Sequence, residues 1–147
     1  MELLNKLNLV LERFLFEKNK LLFAGDTIFS LGCGRIFEGD YEQMFKSLQR
    51  LNSLPDETYV YCGHEYTHQN YRFLKSIFSN HKALNQYKYK IDERLKKNMR
   101  TIPFVLGEEK VVNPFLVSKV TCYKNFMLIN NFNKLNFFKH IRKLKDN

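Results

Sequence analysis

The run Leu21-Leu22-Phe23-Ala24 is apolar at every position and stops at Gly25-Asp26-Thr27. Unbroken apolar character over so short a length predicts a strand buried on both faces. Ahead of it, Phe14-Leu15-Phe16 and the polar Glu17-Lys18-Asn19-Lys20 complete a β-hairpin pattern. A second strand ends in the same way: residues 58–62 are β-branched and aromatic and give way to Gly63-His64. Between the two strands lie a shaped loop, residues 30–39, with three of the six glycines, and a helix. Asp40 is placed to cap that helix, with Gln43 three residues on. Tyr41, Met44, Phe45, Leu48 and Leu51 follow at helical spacing. Strand, loop, helix, strand, loop is an α/β organisation in which polar groups sit at strand ends.

From Gln69 the pattern turns helical. Tyr71, Phe73, Leu74, Ile77 and Phe78 form one amphipathic stretch, and Leu84, Tyr87, Ile91 and Leu95 a second with lysines opposite. Thr101-Ile102-Pro103 ends it, and Val112-Asn113-Pro114-Phe115 reads as extended and turn-like. Residues 126–138 are biased toward Asn, Phe, Leu and Lys. They read as a poorly ordered stretch or as a linker to a short final helix over 138–145. Residues 3–16 fit a helix or a strand. The 147 residues amount to about one domain.

No apolar run reaches the roughly 18 residues of a membrane span, so no membrane partner is expected. The start of the chain shows no small-residue cleavage site, so no signal peptide is expected. Cys33, Cys62 and Cys122 form no C-x-x-C pair, which fits a reducing cytoplasm. The formal charge of +9 raises nucleic acid as a partner, but no nucleic-acid motif accompanies it. A lysine- and asparagine-rich composition accounts for the charge. It is densest at the end, where Lys119, Lys124, Lys134, Lys139, Arg142, Lys143 and Lys145 face only Asp146. Such a tail suits an anionic small molecule equally well.

Several residues carry potential chemistry. Asp26, after a strand, has two oxygens that can bridge two cations, or it caps the next turn. His64, at the other strand end, is a zinc-ligand type or a loop histidine satisfied by backbone. Glu65 supports His64 or is solvated. His68, His81 and His140 read as surface residues. Arg35 can hold a carboxylate bidentately or is a surface charge. Cys33, with no general base marked beside it, reads as a small packed residue. Arg142 and Lys145, three apart on one helix face, form an anion clamp or a solvated charge run.

Taken in order, these residues resemble glyoxalase II, the hydroxyacylglutathione hydrolases of the metallo-β-lactamase superfamily. The resemblance rests on Phe23-Ala24-Gly25-Asp26-Thr27-Ile28-Phe29, Gly32-Cys33-Gly34-Arg35-Ile36-Phe37-Glu38-Gly39 and Gln43-Met44. It continues through Leu54-Pro55-Asp56-Glu57-Thr58, Tyr61-Cys62-Gly63-His64-Glu65-Tyr66-Thr67, Asn70, Arg72-Phe73 and Asn113-Pro114-Phe115. The final Arg142-Lys143-Leu144-Lys145-Asp146-Asn147 is also similar to the family's end.

The resemblance implies a fold: the C-terminal half of an αββα sandwich over residues 1–68, then an α-helical glutathione-site domain over 69–147. It implies roles too. Asp26 would bridge two metal ions, zinc in the complete family, and His64 would bind one of them. Arg35 and Tyr66 would contact glutathione. Phe37 would stand beside them where the family has a tyrosine, without the hydroxyl. Arg142 and Lys145 would bind the glycyl carboxylate. The family reaction is hydrolysis of S-D-lactoylglutathione to D-lactate and glutathione by a metal-bound hydroxide.

The chain also departs from the pattern. The T-H-x-H-x-D-H and G-H-T-x-G-H segments, which supply most of the metal ligands, have no counterpart, so the chain begins inside the family's domain. Residues 117–138 diverge. A catalytic zinc needs about three protein ligands plus water. The expectation is therefore a truncated protein that does not hydrolyse the thioester alone. It would be one half of a split hydrolase completed by a separate N-terminal chain, or a non-catalytic glutathione-binding module.

Overall fold

The structure, a computed structural model, describes residues 14–36, 40–116 and 120–147. Phe37 lies outside them, as do residues 3–13 and 117–119 of the segments discussed above.

The expected hairpin forms. Strand β1 (Phe14–Phe16) pairs antiparallel with β2 (Leu21–Gly25), and Lys20 makes the turn at φ 54°. A two-residue ribbon follows, β3 (Ile28–Phe29) with β4 (Gly32–Cys33). Helix α1 (Tyr41–Asn52) starts as its sequence requires: Asp40 Oδ1 accepts from Gln43 N at 2.7 Å, and Met44, Leu48 and Leu51 are buried. It carries the chain over to β5 (Tyr59–Cys62), which lies parallel to β2. Strand β6 (Phe104–Val105), which no sequence pattern announced, adds antiparallel to β5. The four-stranded sheet runs β1-β2-β5-β6.

Helices make up most of the rest: α2 (Thr67–Ile77), α3 (Lys82–Lys96), α4 (Leu106–Glu109), α5 (Thr121–Ile129) and α6 (Lys134–Asp146). The result is a mixed α/β fold with a small sheet and a larger helical part. Leu22, Ala24, Val60 and Phe104 on one sheet face join Leu48, Leu51, Leu74, Leu84 and Ile141 in one core. Among the described residues no helix is long and apolar enough to cross a membrane.

Four expectations need correction. Strand β2 is not buried on both faces: Leu22 and Ala24 are fully buried, but Phe23 is 41% exposed. The exposed face is nevertheless apolar. Phe23 stacks on Tyr61 at 5.0 Å and meets Phe16 edge-on, while Tyr59 stands 48% exposed beside them. The unbroken hydrophobic run thus reports apolar character on both faces of the sheet, of which helices cover one.

The segment at residues 112–115 is turn-like as expected but not extended: residues 114–116 form a 3-10 turn. Residues 121–129 are helical, because Tyr123 and Phe126 pack edge-on against Phe78, and Phe126 also edge-on against Phe137. The final helix begins at Lys134, where Asn133 caps it by accepting from Asn136 N at 2.8 Å. The Asn-rich composition obscured a cap and an aromatic core.

Candidate functional site

Both chemistry-bearing strand ends reach the same place because glycines let them. Gly25, at φ 50°, turns β2 out of the sheet after a register shift, leaving Asp26 at its tip. Gly63 N donates to Gly25 O at 2.8 Å, and a Cβ on Gly63 would sit 2.5 Å from Asp26 Oδ1. A Cβ on Gly34 would lie 1.9 Å from the carbonyl oxygen of Asp26. With both glycines in place, His64 Nε2 stands 3.5 Å from Asp26 Oδ2, and both side chains are about half exposed.

These two groups open into a cleft of about 610 Å³ that also takes in Arg35, Tyr66, Asn70, Arg142 and Lys145. Tyr66 stacks on the His64 ring at 5.1 Å and 18° and rests edge-on against Phe29. Arg35 is largely exposed, with Nε 3.4 Å from Asp146 Oδ1. The two basic residues of α6 are more deeply set. Arg142 is 2% exposed; its Nη1 donates to Cys33 O at 2.7 Å. Its Nε and Nη2 donate to the two oxygens of Asp146 at 3.2 and 2.8 Å. Lys145 Nζ donates to Asn70 Oδ1 and lies 5.8 Å from the Phe73 ring centroid. Burial, and then the neighbouring Arg142 guanidinium, push the Lys145 amine down to about 8.

Six of the seven site residues taken from the sequence are thereby placed around one cleft, and Phe37 lies outside the described residues. Other readings change. Glu65 does not support His64: its carboxylate accepts from the backbone N and Oγ1 of Thr101. His81 is not on the surface. It is 3% exposed, its Nδ1 accepts from Leu84 N at 3.4 Å to cap α3, and it packs edge-on against Tyr123. His140 is half-buried against Phe126 and Phe132. Cys33 is a packed residue; burial pushes its thiol up to about 11. Sequence reasoning also passed over Asp146 as the internal partner of Arg142, and Asn70 as the acceptor for Lys145. Both become visible only when α6 is laid across the glycine loop.

Residues 65–147 match the family described as hydroxyacylglutathione hydrolase C-terminus. The chain belongs to the hydroxyacylglutathione hydrolase family. Residues 12–64 match the metallo-beta-lactamase superfamily. Among its relatives is a hydroxyacylglutathione hydrolase of Bartonella tribocorum, 44% identical over 134 residues, which is 91% of this chain and 53% of that protein. One from Nitrosomonas europaea is 53% identical over 95 residues, 65% of this chain and 36% of that protein. One from Psychromonas ingrahamii is 48% identical over 106 residues, 72% and 41% respectively. The chain therefore spans about half, or less, of the length of these relatives.

Members of this family imply metal, zinc in full-length proteins. Among the described residues no group of three or more histidines, cysteines or carboxylates converges on one point. Asp26 and His64 are the right donor types, half-exposed and facing the cleft, but two donors fall short of the usual three. The described residues do not by themselves fit a catalytic metal site.

Proposed function

We propose that this chain carries the glutathione-recognising part of a hydroxyacylglutathione hydrolase, together with one edge of its metal site. The observation behind this reading is a single cleft. Asp26 and His64 line it together with three cationic side chains, Arg35, Arg142 and Lys145. Glutathione offers the matching chemistry: its carboxylates suit guanidinium and ammonium donors, and its peptide suits the Tyr66 ring. A thioester held by its glycyl carboxylate at the α6 end would extend its acyl group toward Asp26 and His64. The chain's residues thus bind and orient the substrate.

Hydrolysis requires further donors, because two ligands leave a bound water short of the activation that makes hydroxide near neutral pH. Those donors come from a polypeptide that covers the exposed aromatic face. Phe23 and Tyr61 stand on that face three residues before Asp26 and His64 in the chain, so a second apolar sheet laid there would bring its edge to the cleft. This arrangement is the sandwich that the family resemblance implies.

Calorimetry and an esterase assay test both halves of the proposal. Glutathione should bind the purified chain, and zinc-dependent hydrolysis of S-D-lactoylglutathione should appear only with the N-terminal portion of the Bartonella tribocorum relative added. No heat with glutathione from a folded chain would refute recognition. Hydrolysis by the chain alone would refute the need for a second polypeptide. A glutathione-binding module without catalysis is the remaining outcome, if binding occurs and addition of the second portion restores nothing.

A further inference from the structure

A buried cluster of polar groups centres on a residue that none of the site assignments includes. Glu109 is fully buried. Its Oε1 accepts from Ser30 Oγ at 2.8 Å and from Tyr87 OH at 2.5 Å. Its Oε2 accepts from Leu31 N at 2.7 Å and from Asn113 Nδ2 at 3.0 Å. All four donors are neutral. Burial pushes the carboxyl above its ordinary range, and the donors only partly oppose that shift. A buried carboxylate is costly to retain and needs such a set of partners.

What the carboxylate holds is a turn. Ser30 and Leu31 join β3 to β4, and Leu31 stands at φ 60°, a left-handed conformation that leucine adopts only where its surroundings impose it. The bond from Leu31 N to Glu109 fastens that residue. Asn113, itself held by Glu109, donates to Phe29 O at 3.2 Å and Gly32 O at 3.1 Å, on either side of the turn.

The carbonyls of the same β3–β4 ribbon hold the buried Arg142 directly and the half-buried Lys145 through Asn70. Cys33 O accepts from Arg142. Ser30 O accepts from Asn70 Nδ2 at 2.8 Å, which fixes the amide so that its Oδ1 faces Lys145. We propose that Glu109 is the positioning residue of the anion site. Its carboxylate sets the Ser30–Leu31 turn; the turn's Ser30 carbonyl aims Lys145 through Asn70, and the Cys33 carbonyl, on the β4 strand that the turn leads into, aims Arg142. This rests on the reading of Arg142 and Lys145 as the groups that receive a glutathione carboxylate.

Glu109→Gln tests it, because the amide has the same shape but opposes a donor with a donor. Two readouts apply to the folded variant: glutathione affinity by calorimetry, and the Lys145 titration by carbon-13 NMR of ε-labelled lysine, assigned with Lys145→Arg. The expected result is affinity reduced tenfold or more, and a Lys145 titration moved from about 8 toward the ordinary lysine value. A Glu109 that serves only stability would lower the melting temperature and leave both readouts unchanged; that result overturns the proposal. Ser30→Ala, which removes one of the four donors, should shift both readouts in the same direction by less. If Glu109→Gln does not fold, an unchanged Lys145 titration in Ser30→Ala overturns it. If the wild-type chain binds no glutathione yet the Lys145 titration moves in Glu109→Gln, the glutathione reading fails and the positioning of the pair stands.

Discussion

Removing the carboxylate of Asp146 should make the chain bind glutathione more tightly. Arg142 is 2% exposed, and its guanidinium fork is already filled by Asp146, which accepts at 2.8 Å from Nη2 and 3.2 Å from Nε. A ligand carboxylate arriving at this end of the cleft meets a resident carboxylate. It must share or displace the resident group, and one charge-assisted hydrogen bond to a protein is worth about 1.5–3 kcal/mol net. Asp146 is about one-third exposed, and the Arg35 contact to it is more exposed still, so screening moves the figure to the lower end. About 1.4 kcal/mol corresponds to roughly tenfold in affinity.

Asp146→Asn therefore should bind glutathione about tenfold more tightly by calorimetry at pH 7 and low salt. In the absence of ligand the variant should be less stable, because the buried guanidinium keeps Cys33 O but loses its charged partner. Glutathione should then raise its melting temperature more than that of the wild type. An unchanged or weakened affinity in a folded Asp146→Asn chain would show that the carboxylate orients Arg142 for the ligand and does not compete with it.

Three further outcomes follow from the same geometry. Because the Lys145 amine is pushed down to about 8, glutathione affinity should fall as pH rises through that value. Folding stability should run the opposite way: a folded amine below the ordinary 10.5 disfavours the charged form, so stability rises between about pH 8 and 10.5, as paired titrations and melts would reveal. Tyr61→Asp on the exposed aromatic face should leave the melt and glutathione affinity near wild type. It should also abolish co-elution with the N-terminal portion of a relative; retained co-elution would place the contact elsewhere. Gly34→Ala forces a Cβ to within 1.9 Å of the Asp26 carbonyl oxygen and should cost about 3 kcal/mol in urea unfolding, with no flexible side chain to give way.

Much of the fold was legible because its signals are local. The hairpin, the Asp40 cap, the crossover helix and the two strand ends each depend on residues within a few positions of one another. Where sequence reasoning failed, the deciding contacts span long separations. Strand β6 exists because Phe104 and Val105 find the edge of β5, more than forty residues earlier in the chain. Helix α5 exists because Tyr123 fills a space between Phe78 and Phe137. Read alone, residues 121–132 offer polar asparagines and scattered aromatics with no clean period. The apolar run in β2 predicted burial on both faces, but burial is a property of what lies opposite. No pattern within the strand can report that Phe23 remains 41% exposed.

The site divides along the same line. Asp26 and His64 announce themselves because each follows a strand and a glycine, and glycine there is a steric necessity: Gly63 must let Asp26 Oδ1 pass where a Cβ would stand. Arg142 and Lys145 were visible as a spaced pair, but not their burial or their internal partners. Glu109 was invisible altogether. It sits beside Glu108 in a Gly-Glu-Glu run, and nothing in that run distinguishes the carboxylate that pairs with exposed Lys90 from the one buried among four neutral donors. The difference is one helical step, which turns Glu108 outward and Glu109 inward. A charged residue that faces the core must be matched by donors on other elements, and here those donors are Ser30, Leu31, Tyr87 and Asn113. The cost of burying the carboxylate is thus repaid as rigidity in the β3–β4 ribbon, whose carbonyls hold the buried Arg142 and, through Asn70, the half-buried Lys145.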